Sequence, residues 1–101
     1  MTLLTLSEIL DDLQAAEMGM HKFERRYWIS SKHFYELYEQ GALDDGENVE
    51  EFAEWAGHYK LSQKRLAALE QLSNQRLEAL RRELQTEDIP LRPAEPTVVI
   101  A

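Results

Sequence analysis

Three histidine–carboxylate pairs fall at helical spacing in this chain: Glu17 with His21, His33 with Glu36, and Glu54 with His58. Steps of three or four residues set two side chains on one helix face, where a carboxylate and an imidazole can share a metal ion. Carboxylate-bridged metal proteins need several such pairs converging in a bundle core. Here the pairs stand mostly beside the apolar positions, so surface pairing is the simpler reading and no metal is expected. Nucleophilic catalysis lacks its context too. Ser30, Ser31, Ser62 and Ser73 have no nucleophile-elbow surroundings, and no glycine-rich phosphate loop occurs. The absence of cysteine removes disulfides, thiolate zinc sites and thiol catalysis. The expectation is a chain that is not an enzyme and holds no cofactor.

Two other groups of residues point to binding. Asp44, Asp45, Glu47, Glu50, Glu51 and Glu54 place six carboxylates within eleven residues. No calcium loop of alternating oxygen ligands can be drawn through them. They form either a solvated helix entry or an electrostatic mimic of a nucleic-acid backbone facing a basic partner. All nine aromatic residues lie between Phe23 and Tyr59. They form either a compact aromatic core, or one in which Trp28, Tyr35 or Trp55 is left partly exposed as an anchor for a partner. The charge balance agrees with a basic protein or a divalent cation as partner. Eleven Lys and Arg oppose 19 Asp and Glu, for a net charge of −8. Direct nucleic-acid binding and adsorption to an anionic membrane both need the opposite sign, although acidic surfaces also serve solubility alone.

Helices must position these residues. Hydrophobic residues make up 44% and charged residues 30%, which excludes a wholly disordered chain, and four Gly with three Pro are too few for a turn-rich β-sandwich. The first helix is expected over 5–28. Thr5-Leu6-Ser7-Glu8 reads as a capping box, and Leu6, Ile9, Leu13, Ala16, Met20, Phe23 and Tyr27 recur in alternating steps of three and four. Gly19 weakens this helix by about 1 kcal/mol relative to Ala, while Ala16 and Gly19 together leave room for a second helix. A short helix over 31–40 is capped by Ser30 or Ser31 and stopped by Gly41. A long helix over 48–85 carries Val49, Phe52, Ala56, Tyr59, Leu66, Leu69, Ser73, Leu77, Leu80 and Leu84 on its apolar face, widened by Trp55 and Leu72.

The expected architecture is all-α: a helical domain over 1–85, hairpin-like or coiled-coil-like, followed by an extended tail over 86–101. Pro90, Pro93 and Pro96 repeat at the period of a polyproline II helix, and Val98, Val99 and Ile100 have the β propensity to add a strand to a partner's sheet edge. No signal-like start and no stretch near the ~20 apolar residues of a membrane span is present, so a soluble, cytoplasmic chain is expected. A single hairpin seam is narrow, which makes a homo-oligomer or a hetero-complex the expected state.

The stretch Phe23-Glu24-Arg25-Arg26-Tyr27-Trp28-Ile29-Ser30-Ser31-Lys32-His33-Phe34-Tyr35-Glu36-Leu37-Tyr38, with Gly41-Ala42-Leu43-Asp44-Asp45 and Phe52-Ala53-Glu54-Trp55-Ala56 after it, resembles a group of small prokaryotic helical proteins. Their pattern is Tyr-Gly-Met-Ser-Ser-x-x-Phe, then Gly-x-Leu-x-Asp, then Glu-Trp. Those proteins are thought to be antitoxins paired with a small toxin, a ribonuclease. Trp28-Ile29 stands here in place of Gly-Met, and the insert containing Gly46 is a departure. The resemblance covers about a third of the chain. It implies a helical core that organises the protein and termini that engage a basic toxin. The other readings from the residues are a coiled-coil assembly or adaptor protein without an inhibitory role and, in third place, a helical metalloenzyme or metal-binding subunit.

Overall fold

A computed structural model describes residues 3–43, 46–82, 89, 91–93 and 99–100. Three helices follow a short strand: β1 Leu3–Leu4, α1 Leu6–Tyr27, α2 Ser31–Glu39 and α3 Val49–Arg82, with β2 Val99–Ile100 last. The all-α class is thus established, and the helix bounds fall within a few residues of the expected ones. The last expected turn of α3, including Leu84, lies outside the described residues.

Local chemistry sets each boundary. The Thr5 hydroxyl accepts the Glu8 N–H at 3.2 Å and donates to the Glu8 carboxylate at 3.2 Å, starting α1. The capping box therefore closes through the two side chains rather than through a second backbone N–H. Trp28 ends α1 with φ 60° and ψ 39°, its N–H bonded to the Glu24 carbonyl at 2.8 Å. Ser30 caps α2 by accepting the His33 N–H at 3.2 Å. Gly41, at φ 66°, closes α2: its N–H reaches the Tyr38 carbonyl, and the Ala42 N–H reaches that of Leu37.

α1 and α3 form the antiparallel hairpin, and α2 folds over the first part of α3. The core divides in two. At the end where α1 turns into α2, Phe23, Phe34, Phe52, Trp55 and Ala56 are buried together. At the other end Leu4, Ile9, Leu13 and Ala68 pack with Leu69 and Leu72. Leu4 precedes the Thr5 cap and Ile9 is the fourth helical residue, the spacing of a hydrophobic staple. Between the two clusters α3 crosses closely over Gly19. A Cβ there would stand 2.5 Å from the His58 ring, so this glycine admits the neighbouring helix.

The α1 seam matches its sequence pattern, with Ile9, Leu13, Ala16 and Phe23 buried. The α3 stripe does not. Its buried residues are Phe52, Trp55, Ala56, Ser62, Ala68 and Leu80, whereas Val49, Leu66 and Leu77 are exposed and so is Ser73. A line drawn in seven-residue steps from Phe52 through Tyr59, Leu66 and Ser73 drifts about 20° per step on a 3.6-residue helix. By Leu66 the line has left the contact, and Arg65 has rotated in to bond Asp12 at 2.7 Å.

The tail departs furthest from expectation. Val99 and Ile100 pair antiparallel with Leu4 and Leu3 of the same chain. Arg76 donates to the Arg92 carbonyl at 2.9 Å, tying that point of the tail to α3. The strand former at 99–100 thus finds an edge within its own chain, supplied by the apolar pair that precedes the α1 cap. Pro90, Pro96 and Val98 lie outside the described residues, and Pro93 is exposed.

Candidate partner-binding surface

Trp55 is the centre of the aromatic end, not an anchor for a partner. Only 1% of it is exposed. The Phe34 ring stacks on it at 3.8 Å and 4°, and Phe23 and Tyr27 lie at 5.6 Å. Burial of an indole requires a partner for its N–H. Trp55 Nε1 donates to the Ser31 hydroxyl at 2.8 Å, which donates in turn to the Glu24 carboxylate at 2.8 Å. The Ser31 backbone N–H also reaches Glu24, and His21 bonds the other carboxylate oxygen at 2.7 Å. Partial burial pushes the Glu24 carboxyl upward, but the bonds from His21 and Ser31 and the charge of His21 outweigh it, holding it below its ordinary 4.5. This chain ties α1, α2 and α3 at one point. Glu24 and Ser31 carry no sequence signal for it beyond the Ser-Ser pair that follows the aromatic segment.

Trp28 has the opposite surroundings. It is 92% exposed and stands in the left-handed region. That conformation favours Gly or Asn, and a bulky L-residue adopts it at a cost of about 1 kcal/mol or more. Beside it opens an apolar recess of about 350 Å³, walled by Tyr27, Ile29, Phe34, Leu37 and Leu43, with Trp28 on its rim. Tyr35, half-buried, stacks on Tyr59 at 4.8 Å and braces α2 against α3.

The acidic run divides. Glu51 accepts from the Tyr27 hydroxyl and pairs with Arg26 at 3.3 Å. Glu54 pairs with Lys22 at 3.3 Å and stands 3.7 Å from His58. These two acids link α3 to α1 while their side chains stay partly exposed. Glu47 and Glu50 are exposed at the same end, and Asp44 and Asp45 lie outside the described residues. The histidines meet carboxylates as isolated pairs: His58 with Glu54, and His21 with Glu24 rather than Glu17. Among the described residues no group of three or more His, Asp or Glu side chains is placed to hold a metal ion. No helix among them is long and apolar enough to cross a membrane.

No family model, curated protein or solved structure matches the chain.

Proposed function

We propose that this chain is a cytoplasmic protein-binding antitoxin that masks a small basic toxin, a ribonuclease. The observation that carries the reading is its shape. The radius of gyration is 18.1 Å, against about 13 Å for a compact domain of this length. Its accessible surface is 7714 Å², where a compact monomer of 11.8 kDa would show about 5900 Å². The difference, about 1800 Å², is more than one partner's share of a standard protein interface. A hairpin this open leaves surface for a partner to cover.

Charge supports the kind of partner. Glu47 and Glu50 stand unengaged among the described residues at the entry of α3, beside Asp44 and Asp45 in sequence. Such an edge steers a basic groove. The resemblance supports it too, because the family's Gly falls at Trp28, where the backbone is left-handed and glycine would sit without strain. Inhibition would be steric and electrostatic, with the acidic edge laid on the toxin. A contribution from the tail would require Val99 and Ile100 to leave Leu3 and Leu4 first. The adaptor reading draws its support from Leu66 and Leu77, exposed on the second half of α3.

The test is to identify the product of the adjacent gene and co-express it with this chain; the reading expects a small basic protein there. Relief of growth arrest, recovery of RNA integrity and a co-purifying complex are expected. Charge reversal of Asp44, Asp45 and Glu47 should slow association, most strongly at low salt. A neighbouring product that neither arrests growth nor binds would overturn the antitoxin reading in favour of an adaptor.

A further inference from the structure

The geometry points to a second copy of this chain as the occupant of the apolar recess, entered by that copy's Trp28 while its own recess receives the Trp28 of the first. Knob and hole lie on one patch. Trp28 forms the rim of the cavity it would fill in the other copy, which is the self-complementarity that a two-fold contact requires. A cavity of about 350 Å³ is ample for an indole, and its walls are apolar. Trp28 is displayed at 92% exposure from a backbone conformation that disfavours it, so nothing among the described residues of its own chain accounts for a tryptophan there.

Charge agrees with self-pairing. Chains of net charge −8 repel, so a two-fold contact needs both signs on one face. The hairpin end supplies them: Arg25 is exposed and without an ion pair among the described residues, and Glu47 and Glu50 are exposed at the same end. The extent of the patch sets the strength. Eight residues line the recess, well short of the roughly 20–30 a side of a standard interface. This predicts a reversible dimer rather than an obligate one. It leaves the rest of the hairpin free for a toxin bound elsewhere but does not depend on one.

Sedimentation equilibrium of the whole chain from about 1 to 500 μM tests it. A monomer–dimer equilibrium is expected, with Trp28 emission in a Trp55→Phe background shifting to the blue as dimer forms. Trp28→Gly removes both anchors of the two-fold contact, so it should weaken dimerisation by roughly 1000-fold or more. The same change relieves left-handed strain, so the monomer should melt no lower than the parent at low concentration. Lost dimerisation therefore cannot be read as unfolding. Leu37→Arg should block the recess while leaving Trp28 in place. Neither variant should dimerise alone, but an equimolar mixture should form a dimer, since one knob and one hole remain. A parent that stays monomeric throughout would overturn the proposal. So would a dimer that survives Trp28→Gly, or one that Leu66→Glu breaks instead.

Discussion

Ser31→Ala removes one hydroxyl and should destabilise the chain more than its size implies. The Trp55 N–H would lose its acceptor at 2.8 Å in a site where the ring is 1% exposed. A buried donor left without a partner costs about 1–3 kcal/mol. Glu24 would lose one of its bonds as well, but it keeps the Ser31 N–H and His21, and its side chain is 27% exposed, so water compensates in part. Alanine returns about 0.5 kcal/mol of helix propensity. The net loss should be about 2 kcal/mol. Trp55→Phe leaves no orphan, because Ser31 still donates to Glu24; its loss, about 1–2 kcal/mol, comes from the trimmed ring and the space it leaves. The double variant has neither donor nor missing acceptor, so its loss should fall short of the sum by about 1–2 kcal/mol. Urea unfolding followed by helical circular dichroism, with m-values compared, gives all four corners of the cycle. Additivity within about 0.5 kcal/mol, or a Ser31→Ala variant as stable as the parent, would refute the role given to this chain of bonds.

Glu24 also sets an acid limb. Its carboxyl is lowered in the folded state, so its contribution is present above the unfolded value and is lost as pH falls through the folded one. Glu24→Gln should therefore be less stable than the parent near neutrality, with the gap closing as pH falls below the ordinary 4.5 and through the lowered folded value. Gly19→Ala should fail to deliver the ~1 kcal/mol that alanine offers in a helix, because its Cβ meets the His58 ring; in a His58→Ala background the gain should reappear in thermal melts. Leu13→Asp should unfold the hairpin, with a loss of about 4 kcal/mol or more, whereas Leu66→Asp should change stability by less than about 1 kcal/mol, since Leu13 is 6% and Leu66 46% exposed.

The contrast between Leu13 and Leu66 also marks how far the sequence can be read. α1 has one neighbour along its whole length, so its heptad spacing and its burial coincide. α3, at 34 residues, outruns the 22 of α1, and it meets α2 only over its first turns, where Tyr35 lies on Tyr59. Beyond α2 the contact face is narrower and rotates, and a spacing rule anchored at Phe52 carries leucines out of it. The aromatic end was legible as a cluster but not in its parts. Composition places nine rings together; only the left-handed turn after Tyr27 decides that Trp28 faces water while Trp55 is enclosed. The strand pairing was hidden because Leu3-Leu4 is too short to show a period, although its place before the Thr5 cap identifies the staple with Ile9.

The close crossing at Gly19 separates two cores of different quality, and that division has a kinetic meaning. On one side, stacked rings and a shared hydrogen-bonded serine fasten three helices. On the other, Leu4, Ile9, Leu13 and Ala68 close a hairpin helped by a two-residue strand pair. Amide hydrogens flanking Phe23 and Trp55 should then exchange with solvent only when the whole chain opens. Those around Ile9 and Leu72 should exchange through a smaller, more frequent event in which the helices part from their free ends and stop at the glycine. The molecule would breathe from one end, leaving α1 and the far half of α3 intermittently separate while the tip that carries Trp28 keeps its shape.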